Sequence, residues 1–187
     1  RINKSKNKTS ERIKMKKSVA LLSGLLMTSM VCAGPGDGVS FPENYKTNYT
    51  QYHSLNRTQN ADQYIRLYIN DQGLSGTEES GQLPYGSKIV AEIYKVKKDA
   101  DGNVLTTQLG QRIPTKLAAL AVMERREGAA AEYPQGLGND DWDFAVFKTT
   151  GERAKKDLAA CAACHAPLTG TKHLFSYESI IAEQALK

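Results

Sequence analysis

The sequence predicts an α+β fold: a mainly antiparallel β-sheet with flanking helices, and a Cys-x-x-Cys-His motif on a C-terminal helix. Three observations predict it. Two segments, Tyr64–Asn70 and Ser87–Lys98, alternate in their side chains with a period of two, and Lys116–Arg125 and Trp142–Lys148 are two more candidate strands. Segments rich in Gly, Pro, Asn and Asp punctuate them. More than 120 residues, mostly strand-patterned, separate position 34 from Cys161. That order does not suit an all-helical domain carrying the motif near its start.

Residues 1–33 read as an upstream extension and a signal peptide. Met15-Lys16-Lys17 is a short positive region, Ser18–Val31 is uncharged and rich in Leu, Val and Met, and Val31-Cys32-Ala33 supplies small residues near a cleavage site. The apolar run is about 14 residues, short of the roughly 18–20 that span a bilayer. Export to the periplasm with cleavage near Ala33 is the expectation, and residues 34–187 form the mature domain. The leader also explains the charge. Of 25 Lys and Arg and 20 Asp and Glu, the leader holds eight bases and one acid, which leaves 17 against 19 and a net of −2 for the remainder. A basic pI confined to the leader excludes nucleic acid as a leading partner.

Phe41-Pro42-Glu43-Asn44 opens a predicted helix, with Tyr45, Tyr49, Tyr52 and His53 on one face. Tyr64–Asn70 is a strand with Ile65, Leu67 and Ile69 on one side and Tyr64, Arg66 and Tyr68 on the other. Asp71–Gly86 is a loop. Ser87–Lys98 is a strand carrying Ile89, Ala91, Ile93 and Lys95 on one face and Val90, Glu92, Tyr94 and Val96 on the other, and Asp99–Asn103 is a turn. Lys116–Arg125 and Trp142–Lys148 are two further strands, although Leu117–Met123 suits a helix equally well by composition. Arg153–Ala163, rich in Ala, Lys and Leu, is a helix that Pro167 keeps from continuing past His165. Ser176–Leu186 is a closing helix with Ser176 as its N-cap.

Cys161-Ala162-Ala163-Cys164-His165 is the attachment motif of c-type haem. Cysteines three apart share a helical face, so both sulfurs reach the two vinyl groups along one porphyrin edge. The adjoining His165 is then carried under the iron as an axial ligand. One covalent haem c is the expected cofactor, with Cys161 and Cys164 binding it and His165 ligating iron. The alternative is a haemless module with a Cys161–Cys164 disulfide. A zinc site lacks a second cysteine pair.

With these pieces in order, the chain resembles the cytochrome P-460 family and its relative cytochrome c′-beta from about Phe41 to Ile180. The matching pieces are Phe41-Pro42-Glu43-Asn44-Tyr45, Leu83-Pro84-Tyr85-Gly86-Ser87, Val122-Met123-Glu124-Arg125, Asp141–Phe147, the haem motif, and His173-Leu174-Phe175-Ser176. The resemblance implies an antiparallel sheet packed with helices, and one haem whose iron is held by the motif histidine and is open on its other side. Members with a lysine bonded to a haem meso carbon oxidise hydroxylamine. The c′-beta relatives lack that bond and bind nitric oxide.

This sequence departs from the crosslinked pattern. Aligned on Pro84-Tyr85-Gly86-Ser87, the lysine position falls on Ala91. Lys88 points to the opposite face, and Lys95 lies roughly 13 Å further along the strand. The expectation is therefore an ordinary c-type haem that binds a small ligand such as nitric oxide or transfers electrons. Hydroxylamine oxidation is the enzymatic alternative. The resemblance makes Arg66 and Glu124, beside Met123, distal candidates; an exposed strand arginine and a core methionine next to an edge glutamate are the plainer readings. His53 and His173 are candidate sixth ligands against plain structural roles. Trp142, Phe144 and Phe147 read as core aromatics, some on the porphyrin edge, and Asp140-Asp141 as a solvated turn. A redox partner protein and a homodimer stay open as partners.

Overall fold

The computed structural model describes residues 34–187; the predicted leader and its cleavage position lie outside the described residues. The elements run α1 (Tyr45–Asn48), β1 (Thr50–Asn56), β2 (Gln63–Ile69), β3 (Lys88–Val96), β4 (Pro114–Arg125), β5 (Trp142–Phe147), α2 (Leu158–His165) and α3 (Tyr177–Gln184), with four short 3₁₀ turns between them. The strands form one five-stranded sheet in the order β1-β2-β3-β4-β5, every pair antiparallel. The predicted α+β class and the four predicted strands are all present.

Strand alternation divides the molecule into two layers of side chains. Leu67 pairs with Ala91, Ala91 with Ala121, and Ala121 with Val146, and directly paired residues share a face. Ile69, Ile89, Trp142 and Phe144 on that face pack with Leu174 before α3, Ile180 of α3 and Ala162 of α2. On the other face Tyr68, Val90, Val122, Ala145 and Phe147 pack under Val39 and Tyr45 of the N-terminal segment. Apolar residues thus line both faces, so the sheet is the middle layer of a three-layer domain.

Three elements differ from the sequence reading. The tyrosine stripe predicted as one helix is a single helical turn followed by a strand: Tyr52 and His53 belong to β1, which pairs with β2 through a bulge at Gln51/His53. The edge of β2 needed a partner for its backbone groups, and that outweighed the helical spacing. Helix α2 begins at Leu158, five residues later than predicted. Asp157 is its N-cap and accepts a hydrogen bond from the Ala159 amide, while Arg153 forms an extended bridge with Phe147. Ser176 is the N-cap of α3 as predicted, but only its backbone carbonyl takes part, accepting from the Ile180 amide, while its hydroxyl meets the Tyr52 hydroxyl at 2.8 Å. The ambiguous Leu117–Met123 segment is strand β4.

Away from the motif, Glu92 is fully buried and ringed by hydroxyls. Tyr45 donates to Oε1 at 2.6 Å, and Tyr94 and Tyr68 donate to Oε2 at 2.8 and 3.2 Å. Lys46 adds an ion pair at 3.0 Å. Burial alone would raise this carboxyl's pKa, but the donors from Tyr45, Lys46 and Tyr94 hold it below its ordinary value. The stabilisation is therefore present above the unfolded pKa and is lost as pH falls through the lower folded value. Tyr45→Phe removes the shortest of these bonds and is expected to cost about 1.5–3 kcal/mol, the range for hydrogen bonds to charged groups. Urea denaturation at neutral pH measures it, and the difference should shrink in acid as Glu92 protonates.

Candidate functional site

Helix α2 is short, and its two faces do different things. Ala162 is fully buried against the core, and Asn139 donates to its carbonyl at 2.8 Å. Cys161, Cys164 and His165, at the i, i+3 and i+4 positions, share the other face and line one cavity of about 450 Å3. Ile65, Leu67, Ile89, Ala91, Ile93, Ala121 and Met123 of the sheet form the wall across from the helix. Both cysteines are free thiols, so the disulfide alternative is not the state of this structure. Burial raises the pKa of the Cys161 thiol and keeps it protonated at neutral pH.

The geometry of His165 defines a donor. Its Nδ1 lies 2.7 Å from the His173 carbonyl oxygen, which can only accept, so the proton sits on Nδ1 and Nε2 carries the free lone pair. Phe144 and Phe175 flank the ring, with centroids 5.1 and 4.9 Å away. Burial lowers the pKa of the imidazole, which keeps it neutral as a metal ligand must be.

These residues fit a c-type haem. Two unpaired thiols and a neutral imidazole with a free Nε2 face one cavity. Its walls are mostly apolar, and its volume lies within the roughly 300–1,000 Å3 of ligand and cofactor sites. Cys161 and Cys164 would carry the ring and His165 would hold the iron. Bound haem would supply a redox-active iron.

The structure does not bring the distal candidates to this cavity. Odd-numbered residues of β2, β3 and β4 face it, and Arg66 and Glu124 are even-numbered. Arg66 pairs across the sheet with Glu92, and its guanidinium lies 4.9 Å over the Tyr94 ring. Glu124 sits opposite Lys88 and forms an ion pair with it at 2.9 Å. Their neighbour Met123 does line the cavity. Of the two histidine candidates, His53 pairs with Leu67 on the cavity side of the sheet without lining the cavity, and His173 is buried outside it. Phe144 is the predicted aromatic that reaches the site, whereas Phe147 packs edge-on to Phe41 on the opposite face. Asp140 and Asp141 are more than a solvated turn: Asp140 accepts from Gln82, and Asp141 from Tyr85 and the Ala130 amide.

Sequence reasoning missed Arg57, which brings a charged side chain to the cavity lining. It follows β1 directly and donates to Gln63 at 2.6 Å across a turn whose carbonyls at Arg57, Asn60 and Gln63 all accept from Arg112. With β1 read as helix, nothing placed Arg57 near the motif.

The family described as Cytochrome P460 matches this chain over residues 42–176, most of its length. No curated protein matches it.

Proposed function

The chain belongs to the cytochrome P460 family, and on that premise we propose that it is a periplasmic cytochrome with one covalent haem c whose iron binds a small neutral ligand such as nitric oxide. One observation carries the proposal: Cys161, Cys164 and His165 share a helical face at an apolar cavity whose facing wall has Ala91 where the resemblance places a crosslinking lysine. The family implies haem c as the cofactor. Cys161 and Cys164 would attach it and His165 would ligate its iron.

Ala91 decides between the family's chemistries. A methyl group has no nucleophilic atom, and Lys88 is held on the other face by Glu124. A haem held only by the two cysteines keeps an intact conjugated ring. The mostly apolar lining, with Arg57 its one charged side chain among the described residues, favours a neutral diatomic ligand over a cation. Electron exchange with a redox partner protein is compatible with the same site, and Phe175, 54% exposed and lining the cavity, puts its edge near solvent. The leader of residues 1–33 supports export.

The test is mass spectrometry of haem peptides together with the reduced spectrum. The expected results are two thioether links and no third, an ordinary ferrous Soret band, nitric oxide binding, and slow or absent hydroxylamine turnover. A third link to any lysine, with a red-shifted band, would overturn this reading and restore the hydroxylamine-oxidising one.

A further inference from the structure

His173 is buried, lies outside the cavity, and is joined to His165 twice. The His165 Nδ1–H donates to the His173 carbonyl at 2.7 Å, and the His173 Nδ1 lies 3.2 Å from the His165 carbonyl. Each residue thus offers its ring to the backbone of the other. The segment that makes this possible is unusual: Lys172 and His173 both have positive φ, 54° and 63°, a region disfavoured for residues with a Cβ. The His173 amide also donates to the Leu168 carbonyl at 2.7 Å. On the far side of the ring, His173 Nε2 lies 3.3 Å from Asp140 Oδ2, which Gln82 Nε2 holds at 2.6 Å.

We infer that His173 is a positioning residue for the iron ligand: its ring ties the end of α2 to the 172–174 segment and thereby holds its own carbonyl on the His165 Nδ1–H. The inference rests on the haem reading above. A carbonyl held firmly on Nδ1–H sets the orientation of the imidazole and raises the basicity of Nε2. A more basic axial ligand favours ferric over ferrous iron.

The two ring contacts can be separated by substitution in the haem-loaded full-length protein. Asparagine places a donor near the position of Nδ1, and glutamine places one near the position of Nε2. His173→Ala is expected to shift the reduction equilibrium toward ferrous iron about tenfold, which is ~59 mV for one electron. It should also lower the ferrous iron–histidine stretching frequency. His173→Asn should recover most of both effects, and His173→Gln little of either. The Asn and Gln comparison stands even where the alanine variant folds poorly. Equal behaviour of Asn and Gln, or a potential and stretching frequency unmoved in all variants, would overturn the inference while leaving the haem reading intact. A wild-type protein without covalently bound haem, or with a spectrum indifferent to His165→Ala, would overturn both.

Discussion

Replacing Cys161 and Cys164 together with alanine is expected to abolish haem staining at the protein's position on a denaturing gel. The wild-type haem should survive both that gel and acid-acetone extraction, because thioether bonds resist conditions that strip a ligand held by coordination alone. The substitutions are mild for the fold. Cys164 is exposed, Cys161 is half-buried, and alanine is the best helix former. Circular dichroism of the double variant should therefore match that of the wild type, which separates loss of attachment from loss of structure. Each single variant keeps one sulfur on the cavity face and should retain part of the stain. The cavity and His165 remain in the double variant, so added haem can still enter it and give a spectrum in native buffer. Staining that persists in the double variant after denaturation would overturn the covalent assignment.

The fold was largely legible because strand alternation is a local signal. The faces of β2 and β3 were assigned correctly residue by residue, down to Ala91 sharing a side with Ile89 and Ile93. The sequence does not say which face holds the cavity. Both faces of this sheet are apolar and buried, so hydrophobicity cannot distinguish the one under α2 from the one under the N-terminal segment. Arg66 and Glu124 were candidates by resemblance, and what sets them opposite Ala91 is the register that pairs Leu67 and Ala121 with Ala91, which alternation within a single strand does not give. That Cys161, Cys164 and His165 share one helix face was, by contrast, readable from their spacing. What stayed hidden depends on distant partners: β1 exists because β2 needs an edge partner, and Arg57 reaches the cavity only because β1 is a strand. The His173 contact with the His165 carbonyl depends on two left-handed residues that no pattern in Thr171–Leu174 announces.

His165→Gly is expected to change the iron's spectrum more than any other single substitution while leaving the haem attached. The proposed reading gives attachment to Cys161 and Cys164 and ligation to His165, so the two properties should separate cleanly in this variant. Removing the ring takes away the neutral Nε2 donor, the hydrogen bond to the His173 carbonyl, and the packing against Phe144 and Phe175. The helix loses its last residue's side chain, and glycine there costs about 1 kcal/mol relative to alanine. The core beneath, anchored at Ala162, is untouched. The Soret band should move and the coordination state should change, and millimolar imidazole should restore both by occupying the space the side chain has left. His53→Ala should leave the spectrum unchanged, since His53 does not line the cavity. His173→Ala should keep histidine ligation and show only the smaller shift in potential and stretching frequency expected of a residue that acts through His165. Imidazole that fails to restore the glycine variant, or equal spectral damage from all three histidines, would mean that the iron is held by a side chain other than His165.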